Sequence, residues 1–150
     1  MGHSYRPHAL LLAADVAERW VPGPATPGEE TEPGLIVYRF GSDLFFANAK
    51  RFADQVRALL DCAPTPVRWF VVDASAITDI DYSAAQSIRD FIAELKCRDV
   101  QILFARVSPY LRSDMDRHHV TDAVDEKWIF ATLHEALAVV RGKSPQSPPL

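Results

Sequence analysis

Cysteine is scarce in this chain: only Cys62 and Cys97 occur among 150 residues. Neither belongs to a CxxC pair or lies at zinc-finger spacing from a histidine, so a reduced cytoplasmic setting is the simplest reading. Basic charge is short as well. Lys and Arg number 16 against 20 Asp and Glu, giving a formal net charge of -4 and a pI near 5.7. No basic stripe appears, which argues against nucleic-acid binding, where clustered cations must neutralise phosphates. Long apolar runs are missing too. Stretches such as Ala9 to Ala14 fall well short of the ~20 residues that a membrane span needs, and the chain as given reads as soluble. That stretch has neither a basic n-region nor a small-residue cleavage site before Asp15, so no signal peptide is expected. Nothing matches a P-loop, a GxGxxG fingerprint or a nucleophile elbow.

What is there suffices for one domain with a sizeable core: 48% hydrophobic and 24% charged residues in 16.7 kDa, ordinary for a globular protein. Pro22 to Gly34 (PGPATPGEETEPG) is crowded with Pro, Gly and acid and reads as a long mobile loop that cannot hold a helix or a central strand. Beyond Gly142, KSPQSPPL lacks core-forming residues and reads as a disordered tail. Leu35 to Phe40 is a β-branched and aromatic run. With the apolar burst Leu44, Phe45 and Phe46, it predicts a hairpin around Gly41-Ser42-Asp43. A weaker strand is expected near Val16 to Val21. Asn48 is the expected N-cap of an amphipathic helix through Phe52, Val56, Leu59 and Leu60 that ends before Pro64.

Trp69 to Val72, closed by Asp73, is a continuous apolar run expected at the centre of the sheet. A second helix starts near Asp81 to Ser83 and carries Ala84, Ile88, Phe91, Ile92 and Leu95 on one face. Val100 to Val107 is another buried strand. Ser108-Pro109 opens a helix with a cap followed by Pro at its first position, and Thr132 to Glu135 forms a capping box before the last helix. Strands followed by repeated helix and strand units predict an α/β fold with a mixed sheet of four or five strands flanked by helices.

The most informative segment is Val71 to Ala85, VVDASAITDIDYSAA, where a buried strand runs into a polar turn and then a helix start. Its candidate residues for nucleotide or phosphate binding, or for a phosphorylation switch, are Asp73, Ser75, Thr78, Asp79, Asp81, Tyr82 and Ser83. In the structural reading, Asp81 or Ser83 simply caps the helix. In the functional one, a phosphoryl group on Ser83, or a bound phosphate, meets free amides and a favourable dipole, although Asp81 repels a dianion. Phosphoaspartate chemistry at Asp73 or Asp79 fails on spacing, since its DxD must follow the strand directly. A calcium loop from Asp79, Asp81 and Ser83 fails because Ala84 stands where Gly is required and Asp90 where a bidentate Glu is. No metal site is expected. His118 and His119, beside Asp114, Asp116 and Asp122, point about a quarter-turn apart on a helix and read as a solvated or capping pair. Alternation along strands makes half of Tyr38, Phe40, Phe45 and Phe46 core rather than a stacking surface.

GLIVYRFGSDLFFANAKRF, WFVVDASAITDIDYSAAQSI, VQILFARV and IFATLHEAL, in this order, resemble the STAS domain of SulP-family anion transporters over about Gly34 to Arg141. RPHALLLAADVAERWVPG resembles, more loosely, the connector that follows the last membrane helix. The resemblance implies residues 1–33 as connector and loop, 34–141 as domain body and 142–150 as tail. It implies the fold of bacterial anti-sigma-factor antagonists and a place on the cytoplasmic face of the cell membrane. The role implied is regulatory and not enzymatic, with the parent's transmembrane domain as partner. A regulatory protein is a further partner, and a guanine or adenine nucleotide is the ligand reported for several members, with no cofactor required. In the antagonists a Ser in a D-S-S-G turn is phosphorylated. Asp81 holds the Asp position and Ser83 the phosphorylated one, but Tyr82 replaces the first Ser and Ala84 the Gly. A stand-alone switch controlled by phosphorylation of Ser83 is the alternative function.

Overall fold

The computed structural model describes residues 9–14 and 20–142. Strands β1 (Ala9–Ala14) and β2 (Trp20–Pro24) form an antiparallel pair, with Leu12 opposite Pro22 and Leu10 opposite Pro24. Then come β3 (Leu35–Phe40), helix α1 (Phe46–Cys62), β4 (Trp69–Asp73), α2 (Tyr82–Cys97) and β5 (Gln101–Ala105). Helices α3 (Pro109–Arg117), α4 (Val120–Val124) and α5 (Leu133–Val140) complete the chain. The sheet runs β2-β1-β3-β4-β5, with β3, β4 and β5 parallel and β1 antiparallel to β3. This is the expected α/β fold with a mixed sheet, at five strands.

Side-chain alternation divides the core in two. Ile36, Tyr38, Phe40, Phe70, Val72, Ile102 and Phe104 face one way and pack against α1 and α2 through Phe52, Val56, Leu59, Ile88, Phe91 and Leu95. Leu12, Leu35, Val37, Val71, Leu103 and Ala105 face the other way, against Leu133, Ala136 and Leu137 of α5. Burial on both faces is why the three parallel strands read as continuous apolar runs. Truncating a ring such as Phe52, which is fully buried, costs about 3–5 kcal/mol.

Both sheet edges are blunted. Pro22 and Pro24 lie in β2, the outermost strand, where a missing amide donor is tolerated. Beyond β5, Phe130 donates its amide to Phe104 O at 2.8 Å and accepts from Val107 N at 3.1 Å.

Several expectations change. The segment Pro22 to Gly34 begins as strand through Pro24 before becoming loop. The weak strand near Val16 to Val21 survives only as Trp20–Val21 within β2, and Val16 to Glu18 and Arg19 lie outside the described residues, as does the expected tail 143–150. The run Ala9 to Ala14, to which the sequence reading gave no element, is β1. Trp69 to Val72 is an interior strand, but the middle place belongs to β3, because β1 and β2 extend the sheet beyond it.

The hairpin around Gly41-Ser42-Asp43 does not form. Leu44 pairs instead with Ile80, donating to Asp79 O at 3.0 Å and accepting from Asp81 N at 3.1 Å. Helix α1 starts at once, with Phe45 at the N-cap. Asn48 is therefore not the cap. It sits three residues in and accepts the Phe45 amide at 2.8 Å, so it still satisfies an end amide but from inside the first turn. The caps read for the other helices hold. Asp81 accepts from Ala84 N, Ser108 from Leu111 N with Pro109 following, and Thr132 from Glu135 N. The Glu135 carboxylate meets the Thr132 hydroxyl at 2.9 Å.

Candidate functional site

Parallel strands β3, β4 and β5 all end on the same side of the sheet, so the loops after them and the helix starts they lead into gather there. The polar turn Ala74–Asp81 is the centre of this end. It is held from outside by one carboxylate that the sequence reading assigned to a hairpin. Oδ1 of Asp43 accepts from Thr78 N at 2.6 Å, from the Thr78 hydroxyl at 2.9 Å and from Asp79 N at 3.1 Å. Charge-assisted bonds of this kind are about twice as strong as neutral ones, and three on one oxygen fix the turn.

Asp81 performs a double task. Oδ1 accepts from Ala84 N at 2.8 Å, capping α2, and Oδ2 accepts from Phe46 N at 3.3 Å, at the start of α1. One carboxylate thus serves the positive ends of two helices, in the place where a bound anion would sit. The cap expected of Asp81 is therefore formed.

Asp73 stands apart from the turn. Its fully buried carboxylate accepts from Arg39 Nε at 3.2 Å and from an Arg106 guanidinium nitrogen at 3.0 Å, both on Oδ2, and from Ser75 N at 3.0 Å on Oδ1. Register places Arg39 beside Asp73 on neighbouring parallel strands. Arg106 reaches it by adopting a left-handed backbone at φ 57°, a conformation that costs a non-glycine residue about 1–2 kcal/mol. Two guanidinium groups and one amide thus engage this buried acid.

The remaining candidates face water. Ser75, Thr78, Asp79, Tyr82 and Ser83 are exposed, and Ser83 occupies the second position of α2. The Tyr82 ring stands edge-on to His118 at 6.0 Å between centroids. The seven candidates therefore split into a buried brace at Asp73, a turn at Ser75 to Asp79, and a helix start at Asp81 to Ser83.

Asp114, nearly buried in α3, accepts from Ile80 N at 3.2 Å and pairs with Arg117. It also meets Asp79, and the hydrogen bond between the two carboxyls holds Asp79 above the ordinary range, with burial and the charges of Asp114, Asp43 and Asp81 adding to the rise. The Asp114 carboxyl is correspondingly held low, first by its bond with Asp79, and also by Arg117 and the Ile80 amide. Sequence reading missed Asp43, Arg39, Arg106 and Asp114. Only Arg39 left a trace, as a charge within an otherwise apolar strand. Of the two adjacent histidines, His119 meets Asp122 at 2.9 Å through Nδ1, and His118 caps the end of α3.

Residues 27–136 match the family model described as the STAS domain. The chain belongs to the STAS domain family. This STAS domain is 33% identical over 115 residues to a probable sulfate transporter of Mycobacterium tuberculosis, a match covering 77% of the chain and 20% of that protein. It thus spans about one fifth of the length of that curated relative. Its backbone matches that of the murine anion transporter Slc26a9 in the inward-facing state with TM-score 0.78 at 17% identity, over 91% of this chain and 22% of the other. The unphosphorylated anti-sigma factor antagonist SpoIIAA has the same fold, with TM-score 0.57 at 17% identity, covering 76% of this chain and 94% of that one. Among the described residues of this STAS domain, no helix is long and apolar enough to cross a membrane.

Proposed function

We propose that this STAS domain is the non-catalytic regulatory part of a SulP-type sulfate or related anion transporter. It would act at the cytoplasmic face of the membrane by biasing the conformational equilibrium of the parent's transmembrane domain. The observation that carries this reading is the commitment of the turn. Asp43, Asp73 and Asp81 are each engaged by two or three donors that hold the fold together, and Asp79 is bonded to Asp114. The exposed side chains of Ser75, Thr78, Tyr82 and Ser83 are left to serve as a contact surface. The sulfate-transporter relative, matched over a fifth of its own length, supports the same reading.

Such a domain biases its parent only if it touches the two transport states differently, and about 1.4 kcal/mol of difference shifts their ratio tenfold. Sequencing the gene upstream of codon 1 tests the premise: the account expects a run of membrane helices in frame, and an open frame without them sinks it. A guanine or adenine nucleotide remains a rival input at the turn. Its phosphates would compete with Asp81 for the amides of Phe46 and Ala84, so interdomain contact is the better-supported route. A stand-alone switch is favoured by one observation, the exposed hydroxyl of Ser83 at the second position of α2. Labelling of Ser83 by a cellular kinase, together with an upstream frame lacking membrane helices, would establish that reading instead.

A further inference from the structure

Four large hydrophobic side chains stand out as exposed among the described residues: Phe45 at 45%, Phe46 at 72%, Tyr82 at 66% and Tyr110 at 80%. All four lie at helix starts. Phe45 and Phe46 open α1, Tyr82 opens α2, and Tyr110 is the second residue of α3. Because these helices follow the parallel strands β3, β4 and β5, the four share one end of the sheet. Asp81 ties the first two starts together. Asp114, about 6 Å of helix rise from Tyr110, ties the third to the turn through Ile80 N. Apolar side chains scattered singly over a surface need no explanation, but aromatic ones gathered at one end mark an interaction site.

Charge decides what covers it. Asp43, Asp79, Asp81 and Asp114 lie among these helix starts, with Arg117 paired to Asp114 and the neighbouring Arg39 and Arg106 both paired to Asp73, so carboxylates outnumber the guanidinium groups paired with them. An anionic lipid leaflet would be repelled here. A polypeptide bearing Lys and Arg would be drawn in, and cytoplasmic loops of membrane proteins carry an excess of both. From Phe46 an open groove of about 590 Å3 continues between α1 and α2, floored by Ala53 and Phe91 and edged by Asp54, Arg57, Asp90 and Glu94. That is room for an apolar anchor beside the cations.

We infer that the rim of Phe45, Phe46, Tyr82 and Tyr110 around the acidic turn docks a Lys- and Arg-bearing cytoplasmic loop of the parent's membrane domain, with an apolar side chain of the loop seated in the groove beside Phe46. The inference rests on the reading of this chain as a transporter's regulatory domain and adds the face and the chemistry of the contact. Exposed charges are screened beyond about 8 Å at physiological ionic strength, so docking weakens with salt.

Peptides covering each cytoplasmic loop of the parent are titrated into the isotope-labelled 150-residue chain, followed by amide shifts. At least one peptide is expected to move Phe46, Tyr82, Ser83 and Tyr110. Phe46→Ser and Tyr82→Ser are each expected to weaken it about tenfold or more, and His134→Ser on α5 to leave it unchanged. Thermal melts of the variants check that these exposed substitutions keep the fold. Silence of the rim with every peptide at low salt, or undiminished binding by Phe46→Ser, overturns the inference. So does co-sedimentation with equimolar phosphatidylserine and phosphatidylcholine vesicles that Phe46→Ser abolishes, which would make the rim a lipid contact. Membrane helices upstream together with a silent rim defeat this inference alone. Their absence defeats the functional reading beneath it.

Discussion

The amide of Phe46 donates to Oδ2 of Asp81 at 3.3 Å, across 35 residues of sequence, while the other oxygen of the same carboxylate caps α2. One acid joins two helix starts. Asp81→Ala should lose both bonds and destabilise the domain by about 2 kcal/mol. Asp81→Asn should cost about half as much, since its carbonyl still caps α2 but its amide group cannot accept from Phe46 N. Urea denaturation of the two variants checks the order: equal losses would show that the cap on Ala84 contributes nothing, and an Asp81→Asn variant as stable as wild type that the bond to Phe46 contributes nothing.

Asp79 and Asp114 give the domain a pH signature. A carboxyl whose folded pKa is raised holds its proton more tightly in the native state. Its stabilising effect is present below the ordinary pKa of 3.8 and is lost as pH rises through the higher folded value. At neutral pH ionised Asp79 therefore opposes folding. Asp79→Asn, whose amide can donate to Asp114 as the protonated acid does, should melt higher than wild type at pH 7. The gap should close as pH falls below 3.8. Melting curves across that range check the sign, and a variant less stable at pH 7 would contradict it.

The brace at Asp73 is expected to be structural. Asp73→Ala leaves the partly exposed Arg39 and Arg106 without their acid and the Ser75 amide without its acceptor, a loss of about 3 kcal/mol. Asp73→Asn, which keeps an acceptor for Ser75, should lose less. Chemical unfolding measures both. Magnesium-dependent phosphate-ester turnover that Asp73→Asn abolished would instead revive a catalytic role.

These interactions also mark the limit of what the chain discloses before it folds. The strands Leu35–Phe40 and Trp69–Asp73, and the caps at Asp81, Ser108 and Thr132, were legible because each rests on local pattern: apolar runs, and a short polar side chain before a helix. The start of α1 was not. Leu44 and Phe45 look like strand because they are apolar, and only the capture of Thr78 and Asp79 by Asp43, 35 and 36 residues away, turns them aside. Strand β1 was passed over because short apolar runs fit several structures equally well. At the site, Asp81 could be read as a cap, whereas Arg106 reaches Asp73 through a left-handed residue that no composition announces.

Nucleotide binding at the turn is expected to be weak or absent while Asp81 holds the two helix starts. Amide shifts around Ile80 to Ala85 should stay flat on adding GTP or ATP to the wild-type chain. A saturating response in those residues would place a nucleotide where the account has a carboxylate.

Sulfate uptake by the intact parent in proteoliposomes tests the central claim most directly, comparing wild type with the Phe46→Ser/Tyr82→Ser double variant at equal reconstituted protein. A regulatory domain that acts through its aromatic rim predicts a changed uptake rate, several-fold in either direction, with a fold that still melts normally. Identical uptake by the double variant, and by a parent lacking residues 27–136, would contradict it.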